Sequence, residues 1–207
     1  MPKLWQKLER TPSGAWPIYL DDSDICYFAR DYIAHGGFTA GQGNDLIFNY
    51  KKPVCERDKP SWRYKINAIK QFARELSAMK LDDHYIAGMP SSKTPDDPEY
   101  DNRIAETLRE LKLLKTSINI VAPFANRKTR PPLHAGGQTR SPDEIYNNLI
   151  WQGLPGQLEY LLLVDDVLTT GSNFKACQRL LSENAPGTQL IGIFWAKTTW
   201  PNPFDKI

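Results

Sequence analysis

Two adjacent carboxylates follow an apolar segment of this chain and precede a cluster of hydroxyl groups. Residues 161–164 are Leu-Leu-Leu-Val, and Asp165 and Asp166 come next. After two more residues come Thr169, Thr170, Gly171 and Ser172. The short apolar run predicts a buried strand, and the spacing of apolar residues from Phe174 onward predicts a helix that begins near Ser172.

A strand, a hydroxyl-rich turn and a helix N-terminus together favour an anion site. Free backbone N–H groups and the positive end of the helix dipole converge on one small volume. The hydroxyls add side-chain donors, and Gly171 lets the backbone approach a phosphate closely. Ionised Asp165 and Asp166 only accept hydrogen bonds and would repel a phosphate, so they must face sugar hydroxyls or a metal ion. A phosphorylated ribose satisfies both halves of this site.

The run resembles the phosphoribosyl-pyrophosphate (PRPP) motif of type I phosphoribosyltransferases. In that motif an apolar strand ends in two acidic residues, and two variable residues separate them from Thr-Thr-Gly. The resemblance implies that the turn holds the 5′-phosphate and that Asp165 and Asp166 hold the ribose. It also implies Mg²⁺ as the cofactor, carried by PRPP and open to contact with the two carboxylates. The structural alternative is an ordinary Asp-rich turn; a Walker phosphate loop and a dinucleotide Gly-x-Gly-x-x-Gly pattern do not occur in the sequence.

A second hydroxyl-rich segment follows an earlier predicted strand. His84–Ala87 is the strand, and Met89-Pro90 leads into Ser91, Ser92 and Lys93. Such a turn is often only a turn. Because ligands of open parallel sheets bind at the carboxyl ends of strands, both hydroxyl-rich turns are expected to share one crevice. The resemblance assigns pyrophosphate binding to Ser91, Ser92 and Lys93.

A long basic loop over residues 123–143 is the third candidate piece of the site. It holds Arg127, Lys128, Arg130 and His134, with two glycines at 136 and 137. Loops this long in compact domains are often functional, although a solvated basic loop is the plain alternative. The resemblance implies a mobile loop whose cations stabilise the charge on departing pyrophosphate. The three basic residues at 127, 128 and 130 are therefore catalytic candidates together with the acid pair.

Composition restricts the class of protein. The chain has 207 residues with a net charge of +2, which is compatible with one domain plus an elaboration and gives no argument for bulk nucleic-acid binding. The net charge does not exclude a local basic patch. Cys26, Cys55 and Cys177 form no Cys-x-x-Cys pair, so neither a zinc ribbon nor a disulfide framework is expected. With neither a signal-like N-terminus nor a membrane-length apolar run, a cytoplasmic protein without membrane contact is expected.

Alternating apolar patterns predict an α/β fold, an open and mostly parallel sheet with helices on both faces. Helices are expected over 64–79, 102–115 and 173–183, with a short helical piece near 143–150. Strands are expected at 84–87, 118–122, 160–164 and 189–196, and a short one at 45–50. We expect an aromatic-rich cap or hood at residues 1–60 and a phosphoribosyltransferase-like core at residues 61–207.

A wider resemblance covers roughly residues 27–197. The order of Leu46-Ile47, Lys51-Lys52, the helix at 64–79 and Asp101-Asn102-Arg103 is similar to that in ComF-like phosphoribosyltransferase-domain proteins. Those proteins commonly open with a four-cysteine zinc ribbon, which this chain lacks. The Asp101 triplet either contacts the pyrophosphate region or caps the following helix; the cap is the favoured interpretation.

The resemblance thus implies a phosphoribosyltransferase of nucleotide metabolism that transfers the 5-phosphoribosyl group of PRPP to an unidentified base or amine and releases pyrophosphate. Trp195 is the candidate contact for a planar acceptor, with Trp200 as a second candidate. A non-catalytic PRPP or nucleotide sensor, an accessory protein in DNA processing or phage defence, and a hydrolase that uses the same pocket are the alternatives. A homodimer is left open.

Overall fold

The computed structural model describes residues 4–10, 16–130 and 140–200. Five α-helices lie in these ranges: α1 Gln42–Tyr50, α2 Trp62–Ser77, α3 Arg103–Leu114, α4 Pro142–Tyr146 and α5 Ser172–Asn184. The strands are β1 Gln6–Lys7, β2 Ile25–Phe28, β3 Asp31–Ile33, β4 Tyr85–Gly88, β5 Asn119–Val121, β6 Phe124–Asn126, β7 Leu149–Trp151, β8 Tyr160–Leu168 and β9 Gln189–Thr199. Two short 3-10 helices cover Phe38–Ala40 and Val54–Glu56.

One mostly parallel sheet forms the centre of the molecule. Its strand order is β1-β2-β9-β8-β4-β5, and β3 also pairs with β9 beyond β2. Only β1 runs antiparallel to its neighbour in this sheet. The α/β class predicted from the sequence is therefore confirmed. The chain leaves β4 toward β5 on one side and returns as β8 on the other, so the switch point of the sheet lies between β4 and β8.

Both faces of the sheet are covered by apolar packing. Side chains of α1, α2 and α3 form one core cluster with Leu162 and Val164 of β8. Side chains of α4 and α5 form the other with Leu161 and Leu163. Successive residues of a strand point to opposite faces, so the continuous apolar run of β8 serves both cores.

Most predicted elements are present, but one is of the wrong type. Residues 45–50 are helical in α1, because Leu46, Ile47 and Tyr50 at helical spacing are buried against α2. Strand β8 continues through the acid pair to Leu168, four residues beyond the predicted end. The hairpin of β6 and β7 and the N-terminal strands were not predicted.

The predicted cap contributes directly to the main sheet. Strands β2 and β3 both pair with β9, and α1 packs against α2. The domain boundary at residue 60 stays a prediction from sequence. Within the described ranges no helix combines the length and apolar character needed to cross a membrane.

Candidate active site

A cleft of about 900 Å³ opens at the carboxyl ends of β4 and β8. It lies at the switch point of the sheet, where ligands of this fold class bind. The predicted site residues that line it are Ser91, Ser92, Lys93, Arg130, Asp165, Asp166 and Thr169. The hydroxyl-rich segment at 91–93 is distant in sequence from the acid pair and its neighbouring turn. All three therefore meet in one cavity only because of the fold.

The predicted phosphate turn is present as a tight turn before α5. Gly171 adopts a left-handed conformation with φ of 82° and precedes the helix without a side-chain cap. The Thr170 hydroxyl lies 3.1 Å from the Ser172 hydroxyl and 3.4 Å from the Ser172 N–H. Thr169 and Asn173 line the cleft, whereas Gly171 and Ser172 are buried beneath the surface of the turn. Uncapped N–H groups at the start of a 13-residue helix suit an anion.

The segment before β2 braces this turn from behind. The Tyr19 N–H donates to the Thr170 carbonyl at 3.0 Å. A Cβ on Gly171 would lie 2.6 Å from a methyl carbon of Leu20, so any other residue at this position would require Leu20 to move. Lys175 of α5 holds the same segment through ion pairs to Asp21 and Asp24, at 2.9 and 3.0 Å.

The two carboxylates of the acid pair point to opposite faces of β8. Asp165 continues the parity of Leu161 and Leu163 toward α5, and Asp166 continues that of Leu162 and Val164 toward α3. The Asp165 Oδ1 accepts the Asp166 N–H at 2.8 Å. Both side chains nevertheless reach the cleft, because they lie at the end of the sheet.

Asp166 is held by two cations. Arg103 at the start of α3 donates from Nε at 2.9 Å and from a terminal nitrogen at 2.6 Å, both to Oδ2. Lys51, just after α1, lies 3.0 Å from Oδ1. The Asp166 side chain is only 6% exposed, so these pairs act in an environment that water screens weakly.

A second layer holds Arg103 itself. Its remaining terminal nitrogen donates to Oδ2 of Asp101 at 2.7 Å. The buried ammonium of Lys65 donates to the same Asp101 oxygen at 2.7 Å and to the Lys52 carbonyl at 2.8 Å. Asp101 also accepts the backbone N–H of Arg103 at 3.1 Å. The triplet at 101–103 thus joins a helix start to the acid pair.

Burial and neighbouring charges shift the pKa values of Asp165 and Asp166 in opposite directions. Burial, together with the charge of Asp166, raises the pKa of Asp165 to about 7. Burial also opposes ionisation of Asp166, but Lys51 and Arg103 outweigh it and lower the pKa of that carboxyl. The pair therefore combines a permanent anion with a carboxyl that titrates near neutral pH.

The segment at 91–93 forms the opposite wall of the cleft. The Met89 N–H donates to the Val164 carbonyl at 2.8 Å and so extends the pairing of β4 with β8. The Ser92 carbonyl accepts the Arg130 N–H at 2.8 Å. Lys93 forms ion pairs with Glu99 and Asp97, so its charge is partly satisfied within the protein.

Searches against proteins of known family and structure give a limited result. No family model matches the chain. No curated protein sequence matches it. A hypoxanthine phosphoribosyltransferase from Staphylococcus aureus matches in structure at 14% identity and a TM-score of 0.37, over 62% of each chain. This chain thus spans less than two thirds of that enzyme.

Two further solved structures are similar at the same level. A hypoxanthine phosphoribosyl transferase from Trypanosoma cruzi has 13% identity and a TM-score of 0.34, over 66% of this chain and 67% of the other. An adenine phosphoribosyltransferase from Saccharomyces cerevisiae, solved with an imino-altritol bisphosphate and adenine, has 16% identity and a TM-score of 0.35, over 69% and 70%.

Of the three catalytic candidates in the basic loop, Arg127, Lys128 and Arg130, one lines the cleft. Arg130 lines the cleft and donates to the Asn173 side-chain oxygen at 3.2 Å. Burial, reinforced by the nearby Arg140, lowers the pKa of Arg130. Arg127 and Lys128 are exposed and do not line the cleft, and their backbone N–H groups donate to Asn148. His134 and the two glycines at 136 and 137 lie outside the described residues.

The assignment of Trp195 as an acceptor contact is wrong. Its indole is fully buried, stacks on Phe72 with ring centroids 4.7 Å apart and donates to Glu75 at 2.5 Å. No acceptor can reach a ring enclosed in this core. Trp200 is 60% exposed, but its ring contacts His35 and it does not line the cleft.

Sequence reasoning missed the cations that hold Asp166 directly, Lys51 and Arg103, and Lys65, which fixes Arg103 through Asp101. Lys65 gave a usable signal, because it lies one helical turn before Ala68 and Ile69 on the buried face of α2. A charged residue at such a position indicates a buried partner. Lys51 gave no comparable signal, since its partner is distant in sequence.

Direct metal binding by Asp166 does not fit this geometry. Both oxygens of Asp166 already face cations, and within the described ranges no three His, Cys, Asp or Glu side chains are grouped to hold a metal ion. Mg²⁺ is usually held by few protein carboxylates together with water and substrate phosphates. The residues present therefore fit an ion carried by a phosphorylated ligand, with Asp165 as the available carboxylate.

Proposed function

We propose that this protein binds PRPP and transfers its phosphoribosyl group to a nitrogen nucleophile with release of pyrophosphate. The observation that supports this best is the shared cleft at the ends of β4 and β8. An uncapped helix N-terminus, two carboxylates and a second hydroxyl-bearing turn line it together. A ligand that has a phosphate at one end, a pyrophosphate at the other and a sugar diol between them matches those three features.

The 5′-phosphate would bind at the turn before α5. Thr169 and Asn173 face the cleft there, and the half-buried Thr170 with the buried Gly171 and Ser172 shapes the turn beneath them. The ribose hydroxyls would donate to Asp165 and to the remaining lone pair of Asp166 Oδ1. This division keeps the phosphate at the positive end of the helix and the acidic groups at the sugar.

The pyrophosphate would lie against Ser91 and Ser92, between Lys93 and Arg130. Mg²⁺ carried by PRPP would neutralise part of the charge that develops on this leaving group. Arg130 is buried enough for its charge to act strongly on that group, since it lies away from bulk water. Arg127 and Lys128 stay predictions from sequence as further cations.

No covalent protein nucleophile is required for this reaction. Two anionic groups near the sugar would stabilise the positive charge that builds on the ribosyl ring as pyrophosphate departs. Holding acceptor and donor in line would supply the rest of the rate enhancement. The acceptor is proposed only as a base or amine; a cytoplasmic location, a homodimer and a role in nucleotide metabolism remain expectations.

The proposal is tested by calorimetric titration of PRPP with Mg²⁺ into wild-type protein and Asp165→Asn. Asp143→Asn is the matched control, because this carboxylate is 78% exposed on α4 and does not line the cleft. We expect Asp165→Asn to weaken binding at least about tenfold and the control to leave it unchanged. Absence of PRPP binding by the wild type would overturn the proposal.

Pyrophosphate release separates the three functional alternatives. The wild-type protein is incubated with PRPP and Mg²⁺ and, in turn, purine bases, pyrimidine bases, amines or buffer alone. Release that requires one acceptor supports the transferase. Release in buffer alone identifies a hydrolase, and tight binding without any release identifies a non-catalytic sensor.

A further inference from the structure

Arg103 occupies a chain of charges that runs from α2 to the cleft. Lys65 on α2 contacts Asp101, Asp101 contacts Arg103, and Arg103 contacts Asp166. Each of these contacts is 2.6–2.7 Å long. The Lys65 side chain is 2% exposed and that of Asp101 14%, so the far end of the chain is fixed within the protein.

The geometry at Asp166 is restrictive. Arg103 places two N–H groups on one oxygen, and its third nitrogen is fixed on Asp101. The guanidinium is planar and cannot rotate without breaking one of these contacts. Tyr50 encloses it from α1, with its ring centroid 5.7 Å from the Arg103 Cζ. The Asp166 carboxylate is therefore fixed in orientation before any ligand arrives.

Stability alone is a weak explanation for this arrangement. Removing charges from water costs free energy that their mutual attraction often only just repays, and apolar residues of similar volume stabilise a core equally well. The protein nevertheless joins three cations and two carboxylates in one network, namely Lys51, Lys65, Arg103, Asp101 and Asp166. All of these except Lys65 line the cleft. Holding a charge at a binding surface accounts for an arrangement that packing does not require.

We infer that Arg103 is a positioning residue, which holds Asp166 in one orientation as a preformed acceptor for the hydroxyl groups of the ligand. The inference rests on the proposed function, because it takes a phosphorylated sugar as the ligand. Lys65 and Asp101 act one step further away by fixing Arg103. Lys51 is 43% exposed, so it contributes charge but does not hold the Asp166 carboxylate in one orientation as Arg103 does.

The electrostatic consequence depends on every group that faces Asp166. Lys51 and Tyr50 approach from the end of α1, Arg103 from α3 and Asp165 from its own strand, while Lys65 and Asp101 act through Arg103. Without Arg103, Lys51 is the one cation that contacts Asp166 directly among the described residues, and the adjacent Asp165 is the neighbouring acid. The pKa of Asp166 is then expected to rise, because burial opposes its ionisation.

The test compares Arg103→Met with Arg30→Met and Arg103→Lys. Arg30 is the matched control: it also pairs with a carboxylate, Glu75, and its charge stacks over a tryptophan, but it does not line the cleft. The first measurement is a ¹³C NMR titration of the Asp166 carboxyl carbon in ligand-free protein. The second is the PRPP dissociation constant between pH 5 and 8.

We expect Arg103→Met to raise the pKa of Asp166 by at least about one unit and to weaken PRPP binding about tenfold or more. Arg103→Lys should restore most of the low pKa but only part of the affinity, because an ammonium cannot reproduce the planar two-point contact. Arg30→Met should lower stability without changing either quantity.

Three outcomes are decisive. An unchanged Asp166 titration in both Arg103 variants overturns the inference, and so does a loss of affinity that Arg30→Met reproduces. If Arg103→Met does not fold, Arg103→Lys tests the inference through affinity, and wild-type PRPP affinity in that variant overturns it. Failure of the wild type to bind PRPP overturns the proposed function instead, while the titration in ligand-free protein still reports on Arg103.

Discussion

At the scale of single residues, the pKa values of two neighbouring aspartates are shifted in opposite directions. They differ because successive side chains of β8 enter different surroundings. Asp166 meets Lys51 and Arg103, whereas Asp165 meets burial and the negative charge of Asp166 itself. A sequence motif records both as acidic and cannot record this difference.

The raised pKa of Asp165 predicts a pH dependence of ligand binding. Below pH 7 this carboxyl is protonated and loses much of its strength as an acceptor; above pH 7 it is ionised. PRPP affinity should therefore increase as the pH rises through about 7. Calorimetry from pH 5.5 to 8.5 on wild type and Asp165→Asn measures this effect.

The variant also controls for titration of the phosphates of PRPP, whose second pKa lies near pH 6, about the same range. If the wild type and Asp165→Asn show the same pH profile, the dependence comes from the ligand and the role of Asp165 is wrong. A dependence that only the wild type shows assigns it to this carboxyl.

At the scale of elements, the phosphate turn depends on the segment that lies behind it. Gly171→Ala should destabilise the protein by about 1–3 kcal/mol, because a side chain at positive φ is strained and the new Cβ would contact Leu20. Urea unfolding measures the loss. Gly156→Ala is the control, since a Cβ there meets nothing within 4 Å.

A double variant separates the two causes at Gly171. Leu20→Ala combined with Gly171→Ala removes the contact but leaves the backbone strain. We expect the destabilisation by Gly171→Ala to be smaller in the Leu20→Ala background. An equal loss in both backgrounds would show that Leu20 is not a steric brace.

Elements with strong local patterns were predictable from sequence. Helices α2, α3 and α5 and strand β8 follow from apolar spacing over many residues. Strands β2 and β3 were not, since each is short and its partner β9 lies far along the chain. Residues 45–50 were wrongly predicted as a strand because a short apolar run fits either state, and only packing against α2 decides between them.

The residues of the site also divide into those that a local sequence pattern predicts and those whose contacts depend on packing. The acid pair, Thr169 and the hydroxyl turn at 91–93 were found from local motifs, and the sheet brings them together. The contacts of Lys51 and Arg103 with Asp166 depend on how α1 and α3 pack on the sheet, which no local pattern contains. Trp195 was misassigned because an aromatic near a strand end has the same sequence pattern whether it is buried or exposed.

At the scale of the whole molecule, β9 holds the sheet together. It pairs with β8 on one side and with β2 and β3 on the other. A chain that ends at residue 186, before β9, should therefore lose cooperative folding entirely. Circular dichroism during urea titration, compared with the full chain, measures this; a sharp transition in the shortened chain would contradict it.

The same pairing bears on how the protein is made. A ribosome produces Ile25 long before its partner Ile191. Until then β2 and β3 lack their sheet partner, and β8 carries its acid pair with one open edge. Partly made chains with unpaired strand edges aggregate readily. We therefore expect the yield of soluble protein to depend on rapid completion of the last strand or on chaperones that cover these edges during translation.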